Sequence, residues 1–283
     1  MDRSAAARDI LLLGAFEEAR AAAAKAGVEA AALKGTALLE LGLYRPGERG
    51  MTDADVLVRP SDLEAFERTL RGLGYEPMPD SADAWARPSG GSAPPAIIDV
   101  HTGLWHIRDI EGLFNWGLEP GPGGPALNRE DLFLHCAVHP LLHHGELTAR
   151  ALEDCARLAL GAPGDGGRFW AGVARKAALY GIRPALWPAA RRLAAGPCRV
   201  PERTLEELRP RGSEKLAAAL FEKASRERSG ILEYLLPVLL RPALLVKYAV
   251  PDRRFMERRY GSAGALAYLL RPLRLFLSVL LRR

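Results

Sequence analysis

The sequence predicts an α+β protein: a small mixed sheet flanked by helices in the N-terminal part, followed by an all-helical C-terminal part. Three observations carry that prediction. Four apolar runs of strand length, at 28–33, 52–58, 75–78 and 96–102, alternate with or follow helical patterns rich in Ala, Leu and Glu. After the proline- and glycine-rich run 119–125 (EPGPGGP) the pattern is helical. The chain has 283 residues, 48% hydrophobic and 26% charged, which suits a globular protein of two domains. The expected division is 1–120, 126–250 and a basic amphipathic tail at 251–283.

Taken in order, residues 4–26 read as a helix stopped by Gly27, and 28–33 as a short strand entering Lys34-Gly35 and a second helix near Thr36. The loop 42–51 is rich in Gly and Pro, and 52–58 reads as a buried strand. Ser61-Asp-Leu-Glu64 has the pattern of a capping box, opening a helix that ends near Gly74. Residues 75–78 and 96–102 read as strands joined by a Pro/Gly/Ser-rich loop. The run 119–125 reads as the domain boundary, unable to hold regular structure.

Asp53 and Asp55 are the centre of the functional reading. Two carboxylates at i and i+2 on a strand share one face, with Ala54, Val56 and Val58 turned to the core. Asp99, in IIDVHTGLW, lies on a later strand with His101 on its face. If the strands are neighbours, three acids converge, which is unfavourable without cations. The pattern therefore points to metal-assisted phosphoryl chemistry, with Asp53, Asp55 and Asp99 as catalytic and metal-binding residues and Mg²⁺ or Mn²⁺ as the ion. Lys34, Gly35, Thr36 and Arg49 supply a nucleotide-binding set: Gly35 leaves room for a phosphate, Lys34 and Arg49 bring charge, and Thr36 a hydroxyl.

The strings LKG, LY, R-x-M-x-D-x-D-x-L-V, L-x-x-L-G-Y and I-D-x-H resemble the uncharacterised nucleotidyltransferase family of the polymerase-beta-like superfamily. The resemblance spreads over most of the chain and implies a polymerase-beta-like N-terminal domain. It also implies transfer of NMP from an NTP, expected to be ATP, to an acceptor hydroxyl on a sugar, peptide or other small molecule. By resemblance Asp53 and Asp55 take the metal-binding places and Asp99 the third acidic place. Lys34-Gly35 stands where many superfamily members carry Gly-Ser. The alternative is an inactive nucleotide-binding or scaffold protein of a biosynthetic complex.

In the helical part, Asn128 is placed to cap a helix carrying His135, His139 and His143 at i, i+4 and i+8. A zinc site is disfavoured there because Pro140 kinks the helix, Cys136 lies off that face and no H-E-x-x-H glutamate is present. The preferred readings put His139 and His143, with His101, at an acceptor pocket, pair one of these histidines with Asp154, or leave them as helix-packing groups. Three scattered cysteines and a short, acid-flanked apolar run near the N-terminus point to a cytoplasmic protein. Residues 231–250 are apolar but carry Glu233, Arg241 and Lys247, favouring a buried helical pair over a membrane span. From Arg241 onward ten Lys or Arg face Asp252 and Glu257, so the tail carries +8 and the remainder −3 of the net +5. That tail is a candidate for contact with a membrane surface or a protein. No nucleic-acid-binding motif accompanies it.

Overall fold

The computed structural model describes residues 3–79, 81, 83–90, 94–104, 107, 109–161, 166–196, 198, 200–226, 250, 253–261 and 263–271. The helical pair expected at 231–250 lies outside the described residues, apart from Val250, as does the end of the basic tail at 272–283. Two compact units are present. One comprises Met1–Met78, Asp83–Cys136 and Arg157–Phe169; the other comprises Pro79–Ala82, Ala137–Ala156 and Trp170–Arg283.

The first unit holds the sheet. Its strands are β1 (Ala30–Ala32), β2 (Ala54–Val58), β3 (Glu76–Pro77), β4 (Ala84–Arg87), β5 (Ala96–His101), β6 (Leu118–Pro120) and β7 (Pro125–Leu127), in the order β3-β4-β5-β2-β1-β7-β6. The sheet is mixed: β2 runs antiparallel to β1 and parallel to β5, and β7 runs parallel to β1. All five residues of β2 are buried, as expected of a strand covered on both faces. Asp55 is the one charge in that run. Helix α1 (Arg3–Lys25) packs on β2 and β5. It buries Ala6, Asp9, Leu12, Ala15, Phe16, Ala19, Arg20 and Ala23, a single helical stripe. Helix α2 (Lys34–Glu40) packs on β2, and α3 (Leu63–Gly72) packs on α1. A short α4 (Ile110–Gly112) is capped by Asp109, whose Oδ1 accepts from Gly112 N at 2.7 Å.

Three sequence expectations need correction. The stretch between 78 and 96, read as a loop, contains β4, which pairs with both β3 and β5. Its anchor is Trp85, fully buried with the Arg71 guanidinium 5.0 Å above its ring, so one large aromatic outweighs the loop-like residues around it. The run 119–125, read as unable to hold regular structure, forms the β6-β7 hairpin. Its prolines are tolerated because Pro120 ends the edge strand β6 and Pro125 is the first residue of β7, while Gly121 N donates to Gly124 O at 2.8 Å across the turn. Gly123 lies so close to the Arg20 guanidinium that a Cβ there would collide with it. The capping box at Ser61 is not formed. Ser61 Oγ bonds Asp62 Oδ1 at 3.3 Å, and a 3₁₀ turn at Pro60–Asp62, with Asp62 N donating to Arg59 O, opens α3 instead.

Helix α5 (Arg129–His144) begins as expected: Asn128 Oδ1 accepts from Asp131 N at 3.0 Å, and Asn128 Nδ2 donates back to Asp131 Oδ2 at 2.8 Å. It continues through Pro140 to its last turn. Helices α6 (Ala149–Leu160), α7 (Gly167–Tyr180), α8 (Arg183–Ala194), α9 (Glu202–Leu208), α10 (Glu214–Arg226) and α11 (Arg253–Tyr260) follow. Within the second unit α8 packs along α10, with Leu186, Ala189 and Phe221 buried. Arg183 bonds Glu214 through Nη2 at 3.0 Å, and Arg192 Nη1 donates to the carbonyls of Leu147 and Ser225, both at 3.1 Å. No helix among the described residues is long and apolar enough to cross a membrane.

Candidate active site

The site forms where β1 hands over to α2 and where β2 begins. Because β2 and β5 are parallel and in register, Asp55 lies directly beside Asp99. On β5 burial alternates: Ala96, Ile98 and Val100 are buried, while Ile97, Asp99 and His101 are half-buried on the other face. His101 therefore follows Asp99 on that face. Its Nε2 lies 2.8 Å from Asp55 Oδ1 and 3.2 Å from Asp99 Oδ2. One ligand-capable atom from each of Asp55, Asp99 and His101 falls within 4.8 Å of the other two.

Lys34 closes the cluster from the β1 side, its Nζ 2.6 Å from Asp55 Oδ1. The Asp55 side chain is only 8% exposed, so this ion pair stands largely out of water. Among the described residues Lys34 is the one non-glycine residue with positive φ, at 44°. A side chain held in that left-handed conformation costs about 1–3 kcal/mol and persists only where its surroundings fix it.

The electrostatics follow from the crowding. Burial works to raise the Asp55 pKa, yet the hydrogen bond from His101 and the charge and hydrogen bond of Lys34 bring it below the ordinary value. Burial alone would lower that of His101, but its bonds to Asp55 and Asp99 lift it from 6.5 to about 9, so the ring is an imidazolium at neutral pH. Asp53 precedes β2, and its Oδ1 accepts from Thr52 Oγ1 at 3.1 Å. Its pKa is raised by burial first and then by the charges of Asp55 and Asp99. The cluster is thus an acidic trio neutralised in part by two of the protein's own cations.

Gly35 follows Lys34 at the start of α2. A Cβ at this position would strike Arg49 Nη1 and lie 3.0 Å from Met51 Cγ and Sδ, so Gly35 is what lets Arg49 come against the turn. Thr36 is completely buried, and among the described residues its Oγ1 has no hydrogen-bond partner. The structure therefore gathers Lys34, Gly35 and Arg49 at the turn and Asp53, Asp55, Asp99 and His101 beside it. His139 and His143 belong to the second unit.

Sequence reasoning missed the residues that hold the loop. Asp9, completely buried, accepts from Gly47 N at 2.8 Å and from Met51 N at 2.7 Å. Neighbouring Arg8 donates to Thr52 O at 2.6 Å and to Pro95 O, just before β5. Arg157 adds a bond to Leu43 O at 2.7 Å and lies 3.9 Å over the Tyr44 ring. The Asp9 signal was present: an acid at i+3 between Ala6 and Leu12 on the buried stripe of α1.

Comparison with known proteins gives a family match. The model of a family described as uncharacterised nucleotidyltransferase matches residues 2–195. No curated protein and no solved structure matches.

Proposed function

The chain belongs to the uncharacterised nucleotidyltransferase family, and on that premise we propose that it moves NMP from an NTP, ATP foremost, to an acceptor hydroxyl and releases pyrophosphate. The observation that carries this reading is the register that sets Asp55 against Asp99 on adjacent parallel strands, with Asp53 immediately before β2. Carboxylate oxygens are the donors that hard divalent ions prefer, so Asp53, Asp55 and Asp99 fit Mg²⁺ or Mn²⁺. Lys34 and His101, both against Asp55, already answer part of that negative charge. When bound, such an ion neutralises triphosphate oxygens and makes a coordinated hydroxyl more acidic.

The chain's own residues supply the rest. Lys34 and Arg49 bind phosphate oxygens at the Gly35 turn, where the missing Gly35 side chain lets the Arg49 guanidinium come against the turn. The acceptor oxygen bonds to the α-phosphorus while the bond from that phosphorus to its bridging oxygen breaks, and the electron pair leaves with pyrophosphate. Asp99 takes the hydroxyl proton. His101 orients Asp99 and Asp55 through its bonds to both.

The test is pyrophosphate release from ATP, GTP, CTP and UTP with Mg²⁺ and a panel of sugar and peptide acceptors. Asp53→Asn and Asp55→Asn should abolish release while the far-ultraviolet circular dichroism is unchanged; turnover retained by either variant overturns the assignment. The Lys34 ammonium against Asp55 favours a second reading, a nucleotide-binding scaffold without transfer. Nucleotide binding with no pyrophosphate release across the whole acceptor panel would identify it.

A further inference from the structure

The last two turns of α5 carry three histidines whose convergence the acidic cluster does not use. His139 and His143 are one helical turn apart and stack with ring centroids 5.0 Å apart and planes at 22°. His144 meets both edge-on, at 5.6 Å from His139 and 4.6 Å from His143. One ring nitrogen from each of the three falls within 4.8 Å of the other two. All three belong to the second unit.

From this geometry we propose that His139, His143 and His144 form a binding site for a zinc-class divalent ion. The His143 Nδ1 to His144 Nε2 distance is 3.4 Å. Two nitrogens bound to one tetrahedral Zn²⁺ at about 2.0–2.1 Å are separated by about 3.3–3.4 Å. The pair already stands at the separation a shared ion requires. His139 is buried and fixes one ligand, whereas His143 and His144 are exposed and adjust their side-chain torsions at little cost.

Two further features favour a cation. The site is at the C-terminal end of a 16-residue helix, where the aligned peptide dipoles place partial negative charge. Gly145, with φ at 67°, turns the chain away directly after His144. The donor set selects the ion: three imidazoles suit Zn²⁺, Co²⁺, Ni²⁺ or Cu²⁺, whereas Mg²⁺ requires oxygen ligands. Pro140 does not prevent the convergence, because the helix continues past it and the three ring nitrogens still fall within 4.8 Å of one another.

The experiment is Co²⁺ and Zn²⁺ titration of the full chain in excess Mg²⁺, read by visible absorption and calorimetry. Wild type should bind one Co²⁺ with proton release and a nitrogen-ligand d–d spectrum, and Zn²⁺ should then displace the Co²⁺. His143→Ala and His144→Ala, at exposed positions, should each weaken binding by about tenfold or more, and His139→Gln should do the same without lowering the melting temperature of the metal-free protein. Asp55→Asn should bind as wild type. Unchanged affinity in the histidine variants, loss in Asp55→Asn, a thiolate charge-transfer band from Cys136, Cys155 or Cys198, or no Co²⁺ binding would each overturn the site.

Discussion

Replacing Asp9 by Ala isolates how the loop before the acidic strand is held. The carboxylate is fully buried and accepts from Gly47 N and Met51 N at 2.8 and 2.7 Å. A hydrogen bond to a charged group contributes about 1.5–3 kcal/mol, and a buried amide left unmatched costs about 1–3 kcal/mol. Two such losses with partial relaxation give about 3–4 kcal/mol, a fall of about 10 °C in Tm for a unit of this size. Asp9→Asn keeps one acceptor oxygen but turns an amide toward the second N–H, so about half that loss is expected. The assays are urea denaturation and hydrogen exchange at the Gly47 and Met51 amides, which should lose protection in Asp9→Ala. The same loop carries Arg49 and leads into Asp53, so turnover in the proposed reaction should fall by about 10²-fold. Stability within about 1 kcal/mol of wild type with both amides still protected would refute the reasoning.

Further changes act on the cluster itself. Lys34→Met removes the ammonium from Asp55, so Mn²⁺ should bind the nucleotide-free protein about tenfold more tightly while nucleotide affinity drops, both measurable by calorimetry. Gly35→Ala places a methyl group against Arg49 and Met51; it should destabilise the protein by about 1–3 kcal/mol in urea denaturation and weaken nucleotide binding. The His101 pKa is raised from 6.5 to about 9, so its contribution to stability is full below pH 6.5 and is lost as pH rises through about 9. The size is about 3 kcal/mol, read as the fall in unfolding free energy across that window, and His101→Asn should flatten it.

Much of the sheet and the acids of the site were legible from local pattern. The β2 run is continuously apolar apart from Asp55, the alternation on β5 puts Asp99 and His101 on one face, and Lys34-Gly35 ends a strand at a helix start. Asn128 was likewise readable as a cap, because that signal spans three residues. Less legible were elements whose stability comes from partners far along the chain. β4 depends on Trp85 finding a buried place beside β3 and β5, and the β6-β7 hairpin holds its prolines because β7 docks on β1. Asp9 reads as an ordinary helix residue until the loop 47–51 folds over it.

The sequence by itself determined which residue types and faces the site has, since strand periodicity fixes the side of the sheet on which Asp55, Asp99 and His101 stand. Periodicity carries no information about which strand lies beside which. Only the tertiary structure set β5 parallel to β2 with Asp55 against Asp99, brought Lys34 and His101 onto the same carboxylate, and gathered three imidazoles near the end of α5. Those decisions belong to packing and electrostatic compensation between residues tens of positions apart: a buried carboxylate needs partners, and the chain supplies them from wherever its folded path returns.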